Sequence, residues 1–194
     1  GQGLMCRSHQ ELAARCAAGA VSFAAATGFT LDEYVGLPES HPQTYRNVIR
    51  NDFVSRVDFG PQAVQGPDGL AQDVPASCAA YEVAIAAAGG VDLQILGIGR
   101  TGHIGFNEPG SSFASRTRVK TLMRVSREDN ARFFDGDVDA VPMHCVTQGL
   151  GTILEAKHLF LLAFGEGKAA AVAGAVEGPV TSSLPGSAIQ LHPH

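Results

Sequence analysis

The segment Gly97 to Gly110, GIGRTGHIGFNEPG, holds the densest set of residues able to do chemistry. Gly97 and Gly99 would let backbone approach a ligand closely. His103 lies four residues after Gly99, and Glu108 lies five beyond His103. An imidazole near a carboxylate suits general acid–base work, the acid fixing its tautomer and orientation. A lone histidine in a polar loop is more often structural; the glycines, the carboxylate and a place at a strand end favour function here. The glycine spacing is neither a dinucleotide fingerprint nor a phosphate loop ending in GK[ST]. Asp32 follows a buried strand. A partly desolvated carboxylate there would have a raised pKa and serve as a base, or it would cap the next turn; the local sequence leaves both open. Lys168 follows Gly165-Glu166-Gly167 at a helix start, where an anion would also meet backbone N–H groups. Arg132 stands in a helical stretch with Asn130. By composition alone either cation is a solvated surface charge. Arg116, Arg118 and Lys120 alternate and share a face if extended, as an anion site or a solvated edge.

These residues need elements to hold them. Ser8 to Ala18, His41 to Val57, Ala76 to Ala88, the start at Arg127 and Val146 to Leu154 read as helices. Pro42 sits near the start of the second, and Gly89-Gly90 stop the third. Ala24 to Leu31, Val91 to Ile98, Val119 to Val125 and His158 to Phe164 read as strands, with VDLQILGI as a central parallel one. Residues 60 to 72 read as a loop, and Gly165 to Val176 as a loop followed by an Ala-rich helix. The alternation predicts an α/β fold with an open, mostly parallel sheet and helices on both faces. Ligands of such sheets sit beyond the carboxyl ends of the strands. There LDEY, GIGRTGHIGFNEPG and FGEGK converge, and that places the site.

The bulk numbers set limits. The 194 residues fit one domain. With 45% hydrophobic and 17% charged residues the composition is globular rather than disordered. A formal net charge of -5 speaks against a broad nucleic-acid surface, though local cations can still bind a small anion. No apolar run is long enough for a membrane span, and no secretory signal opens the sequence. Cys6, Cys16, Cys78 and Cys145 form no zinc spacing, so free thiols in a cytoplasmic protein are expected.

Four segments together are similar to the glucosamine-6-phosphate deaminase family, the glucosamine/galactosamine-6-phosphate isomerases. They are LDEYVGLPESHPQTY (31 to 45), LGIGRTGHIGFNEPGSSFASRTRVKTL (96 to 122), NARFFDGDVDAVP (130 to 142) and LHP (191 to 193). The resemblance implies a three-layer Rossmann-like domain acting in amino-sugar catabolism. It would turn glucosamine 6-phosphate into fructose 6-phosphate and ammonia, and would be classed as a hydrolase of isomerase-like character. His103 would open the pyranose, Glu108 would orient and tune it, and Asp32 would carry the proton between C2 and C1. Gly97, Gly99, Arg132 and Lys168 would bind the substrate and its phosphate. No metal or organic cofactor is implied. Ser111, Arg118 and Lys120 would match an effector site for N-acetylglucosamine 6-phosphate between subunits of a homo-oligomer; a non-regulated enzyme with a basic edge is the alternative. Thr101 departs from the pattern, standing where the family carries an acid or an amide. A hydroxyl cannot hold the charge that would support imidazolium. By the resemblance, this single domain is expected to lack the family's first strand with its phosphate loop, of which only Gly1-Gln2-Gly3 would remain ahead of Ser8, and the final strand and helix after LHP, so the sequence reads as truncated at both ends. The rival readings are a catalytically impaired sugar-phosphate sensor and a 6-phosphogluconolactonase-like hydrolase.

Overall fold

The computed structural model describes residues 2–193, and their side chains from residue 8 onward. Helices α1 (Gln2–Ala17), α2 (Tyr45–Asp52), α3 (Val74–Ala87), α4 (Arg124–Asn130), α5 (Leu150–Leu154) and α6 (Ala169–Val176) alternate with short strands. The strands are β1 (Gly28–Phe29), β2 (Asp32–Tyr34), β3 (Val64–Gln65), β4 (Leu93–Gly97), β5 (Arg118–Thr121), β6 (His144–Thr147) and β7 (His158–Leu162). β1 pairs with β3 and β4 with β7, both parallel. β2, β6 and β5 form an antiparallel sheet in that order. The architecture is the Rossmann-like α/β class, with no closed barrel.

The register of the antiparallel sheet matters most for the site. Asp32 stands opposite Thr147, and Thr147 also faces Arg118. Here the helical reading of Val146 to Leu154 fails in its first half. Cys145, Val146 and Thr147 are extended and buried between β2 and β5. Val and Thr suit a pleated surface, and Gly149 marks the start of α5. A Cβ at Gly149 would fall 2.0 Å from the Ser115 carbonyl oxygen, so the turn into α5 needs glycine.

Other elements shrink at their ends. The strand expected over Ala24 to Leu31 reduces to β1, which is only half-buried. The helix expected over His41 to Val57 reduces to α2 and a 3-10 turn at Val54–Arg56. Thr44 caps α2 by accepting the Asn47 N–H at 3.3 Å, so Pro42 lies in the turn ahead of it. Among the described residues β4 pairs in parallel with β7 and its other side borders a cavity. β7 is not wholly buried either: Phe160 and the following Phe164 are 57% and 67% exposed. Gln2 and Gly3 are part of α1, and Gly1 lies outside the described residues.

Two apolar clusters hold the layers. Leu96, Ile98, Ile104, Leu150, Ile153, Ala171 and Ala175 pack beneath the β4 loop. Tyr34, Phe106, Leu122, Ala131, Phe134, Val141 and Cys145 pack beneath β2 and α4. Cys16, Cys78 and Cys145 are free thiols; Cys6 lies outside the described side chains. No helix among the described residues is long and apolar enough to cross a membrane.

Polar contacts fix α3 against this core. Glu82 Oε1 accepts from the Thr117 N–H at 2.7 Å, from the Thr117 hydroxyl, and from the Thr152 hydroxyl at 2.7 Å. Its Oε2 meets Arg116 at 2.7 Å. Burial works to raise this carboxyl's pKa, but the donors and Arg116 hold it below the usual range. A lowered pKa stabilises the fold above the unfolded value and loses that stability as pH falls. Glu82→Ala is therefore expected to cost about 2 kcal/mol in urea unfolding at neutral pH. The gap from wild type should narrow on acidification below about pH 4; a gap independent of pH would contradict the ionic part of the argument.

Candidate active site

β4 ends at Gly97, and the chain then folds back on itself. Ile98 bridges to Ile104, the Gly99 N–H donates to the His103 carbonyl at 2.9 Å, and the Gly102 N–H donates to the Gly99 carbonyl at 3.0 Å. The Gly186 N–H ties the Gly102 carbonyl from outside at 2.7 Å. The His103 ring lies directly on Gly99, where a Cβ would sit 2.0 to 2.4 Å from three ring atoms. Close approach is thus the reason for Gly99, as the sequence suggested, but what approaches it is the protein's own imidazole.

His103 Nδ1 is 2.8 Å from the Thr101 hydroxyl oxygen and 3.5 Å from Glu108 Oε2. Glu108 is buried; its Oε1 accepts the Met123 N–H at 3.0 Å, and Oε2 has no hydrogen-bond partner. A carboxylate on that side favours the tautomer with the proton on Nδ1, leaving Nε2 as the free base. Burial pushes the imidazole's pKa down, Glu108 pulls it up, and Lys168 pushes it down again; the net shift is downward. His103 is therefore neutral near pH 7 and able to accept a proton.

Asp32 opens β2, buried beside the same loop. A Cβ on Gly105, whose φ is +55°, would come within 3.0 Å of Thr147 Oγ1 and 3.7 Å of Asp32 Oδ2. Burial, and then the charge of Glu33, push the Asp32 carboxyl up to about 8. α2, farther along the chain, is capped by Thr44 and Glu33.

Asp32 and His103 both line one cavity of about 990 Å³, together with Gly97, Gly99, Arg132 and Lys168. The convergence of three loops expected from sequence is therefore met. Lys168 is the N-cap of α6, and Arg132 lies in the 3-10 turn that follows α4, its guanidinium 4.6 Å from the Phe133 ring centroid. Thr101 and Glu108 stand behind the imidazole. Ser111, Arg118 and Lys120 lie away from the cavity wall. The Ser111 hydroxyl donates to the Glu108 carbonyl at 2.6 Å, and an Arg118 N–H donates to the Arg116 carbonyl at 3.3 Å. Arg116 is held by Glu82 and Glu155.

Three further residues escaped the sequence reading. Arg100 lines the cavity and grips Asp129 of α4 through Nη2 at 2.6 Å and Nε at 3.0 Å. That pair ties the His103 loop to the element carrying Arg132. An arginine beside the strand-end glycine was the available signal. Asn107 donates to the Ile104 and Gln148 carbonyls at 3.0 and 2.8 Å, bracing the loop against β6. Among the described residues no group of three or more His, Cys, Asp or Glu is placed to hold a metal ion.

The family model for glucosamine-6-phosphate isomerases/6-phosphogluconolactonase matches residues 4–194. A glucosamine-6-phosphate deaminase of Mycolicibacterium smegmatis is 66% identical over 96% of this chain and 71% of its own length. The deaminase of Beutenbergia cavernae is equally similar over the same shares. Among solved structures, a monomeric glucosamine-6-phosphate deaminase superposes with a TM-score of 0.92 at 41% identity, covering 95% of this chain and 76% of its own. A 6-phosphogluconolactonase from Leishmania guyanensis gives 0.69 at 22% identity over 99% and 76%, a likeness of fold alone.

The raised Asp32 pKa has a cost that can be measured. Between the unfolded value near 3.8 and the folded value near 8 the native state binds more protons, so stability declines as pH rises through that window. Asp32→Asn removes the titration. Its Tm should match wild type near pH 4 and exceed it by about 5 °C or more at pH 8.5. Parallel Tm profiles would show that this carboxyl is not held protonated.

Proposed function

The chain belongs to the family of glucosamine-6-phosphate isomerases and 6-phosphogluconolactonases, and within it we infer that it isomerises and deaminates glucosamine 6-phosphate, giving fructose 6-phosphate and ammonia. The single observation that carries the reading is the placing of Asp32 and His103 on one cavity whose wall also bears Arg132 and Lys168. One end of that cavity suits a phosphate dianion, and the rest offers two proton carriers of opposite charge type.

In this reading His103 Nε2 takes the proton from the anomeric hydroxyl and returns it to the ring oxygen, which opens the pyranose. Glu108 and Thr101 hold the ring in place and share its Nδ1 side. Asp32 removes the proton at C2, and an enolamine forms across C1 and C2. The same carboxyl returns the proton to C1, water adds at C2, and ammonia leaves. Gly97 gives the sugar room along the floor, Gly99 makes room for the His103 ring that faces it, and Arg132 and Lys168 anchor its phosphate.

Classification as a hydrolase does not stand: the relatives are named deaminases, and the family model describes isomerases. The lactonase alternative has only distant likeness of fold behind it. An effector such as N-acetylglucosamine 6-phosphate bound at Ser111, Arg118 and Lys120 between subunits has less support than the active site. The Ser111 hydroxyl and one Arg118 nitrogen are already engaged within the chain, and the solved deaminase that superposes with a TM-score of 0.92 is monomeric. A cytoplasmic setting accords with the substrate, whose charged phosphate keeps it on the side of the membrane where it is made.

Ammonia release from glucosamine 6-phosphate tests the reading directly. Wild type should release it, and His103→Ala should lower kcat by roughly 10²–10⁴-fold. Binding of the sugar phosphate without ammonia would favour a sensor. Thr101→Asp places a charge beside Nδ1 and should raise turnover; an unchanged or lower rate would count against a supporting role for charge at that position.

A further inference from the structure

Glu33 follows Asp32 on β2, so the two carboxylates leave the strand on opposite sides. Glu33 is buried, 8% exposed, and its contacts are all as acceptor. Oε1 takes the Tyr34 N–H at 2.8 Å and the Tyr45 N–H at 3.0 Å; Oε2 takes the Arg46 N–H at 3.0 Å. Tyr45 and Arg46 are the first two residues of α2. A helix start leaves four N–H groups without partners. Glu33 closes two of them and Thr44 a third. The helix so fixed supplies Tyr45, Val48 and Ile49 to the cavity wall.

We propose that Glu33 is a positioning residue of the deamination site: its carboxylate clamps the start of α2 onto β2, sets Asp32 against the cavity, and keeps a fixed negative charge beside it. The proposal rests on the reading of Asp32 as the proton carrier. Asp32 also interacts with Tyr34 on its own strand, Tyr45 on α2, Tyr81 on α3 and Cys145 on β6. Burial drives all four of those groups upward, so they stay neutral while Asp32 titrates. Across the cavity stand His103, Asp129, Arg132 and Lys168. After burial, the charge of Glu33 is what raises Asp32. Asp32 abstracts a proton only when ionised, so wild-type kcat/KM should fall as pH drops below about 8.

The test compares pH profiles of kcat/KM for ammonia release. Glu33→Gln keeps size and one acceptor oxygen but removes the charge; its acid limb should move down by about one pH unit. Thr44→Ala removes another acceptor from the same helix start and leaves both carboxylates in place. It should lower Tm and leave the limb where wild type has it. Glu33→Asp keeps the charge on a shorter arm; it should lose kcat with the limb nearly in place, and it serves if the glutamine variant does not fold. Coincident limbs for Glu33→Gln and wild type, an equal shift in Thr44→Ala, or a limb that falls in Glu33→Asp would each overturn the proposal. A wild type that releases no ammonia would instead sink the functional reading on which it rests.

Discussion

The contact between the His103 ring and the bare backbone of Gly99 governs the site. A ring seated 2.0 to 2.4 Å from where a Cβ would be leaves no choice of residue at that position. It also dictates the tight return of the loop, since the same two residues are joined by the Gly99 N–H and the His103 carbonyl. The buried cluster of Leu96, Ile98 and Ile104 is the floor beneath this return. Glu108 then needs only to be buried behind the ring, where the Met123 N–H holds one oxygen and leaves the other toward Nδ1. The acid, the base and the cavity follow from one close packing of side chain on main chain.

The chemical loops were more legible than the elements between them. GIGRTGHIGFNEPG and FGEGK carry their meaning in residue type, and glycine beside histidine or lysine states a local geometric need. Glu108 and Thr101 were readable for the same reason, being sequence neighbours of the ring they touch. The HCVT strand was not, because its pairing with Asp32 to Tyr34 and with Arg118 to Thr121 is made across long stretches of chain. Its apolar run before LGTIL fits a helix until those partners are known. The Arg100–Asp129 pair joins residues 29 apart and leaves no local periodicity. Glu33 was hidden in plain view: DEY showed two acids, and only the fold tells which faces the cavity and which faces a helix.

Charge is distributed with some economy around this arrangement. Glu82, Glu33 and Glu108 each accept a backbone N–H at the start of another element, β5, α2 and α4 respectively. Such contacts orient an acid firmly, because the donors cannot rotate away. Asp32 differs in lying next to another acid with little solvent. The cations Arg100, Arg132 and Lys168 line the cavity with Asp129 as their acidic neighbour, so that part of the wall retains a positive surplus.

At neutral pH Asp32 and His103 are both uncharged: burial keeps the carboxyl protonated, the reverse of its free form, and holds the imidazole neutral. The cavity wall thus holds less charge than its residue types suggest. An incoming ammonium group would reverse this at Asp32, whose ionised form it stabilises. If Asp32 takes the part proposed for it, capture of the amino sugar expels a hydrogen ion into the surrounding buffer. The heat of association becomes dependent on the buffer's own ionisation enthalpy, and affinity for the amine tightens as the solution is made more alkaline until the amine itself loses its charge.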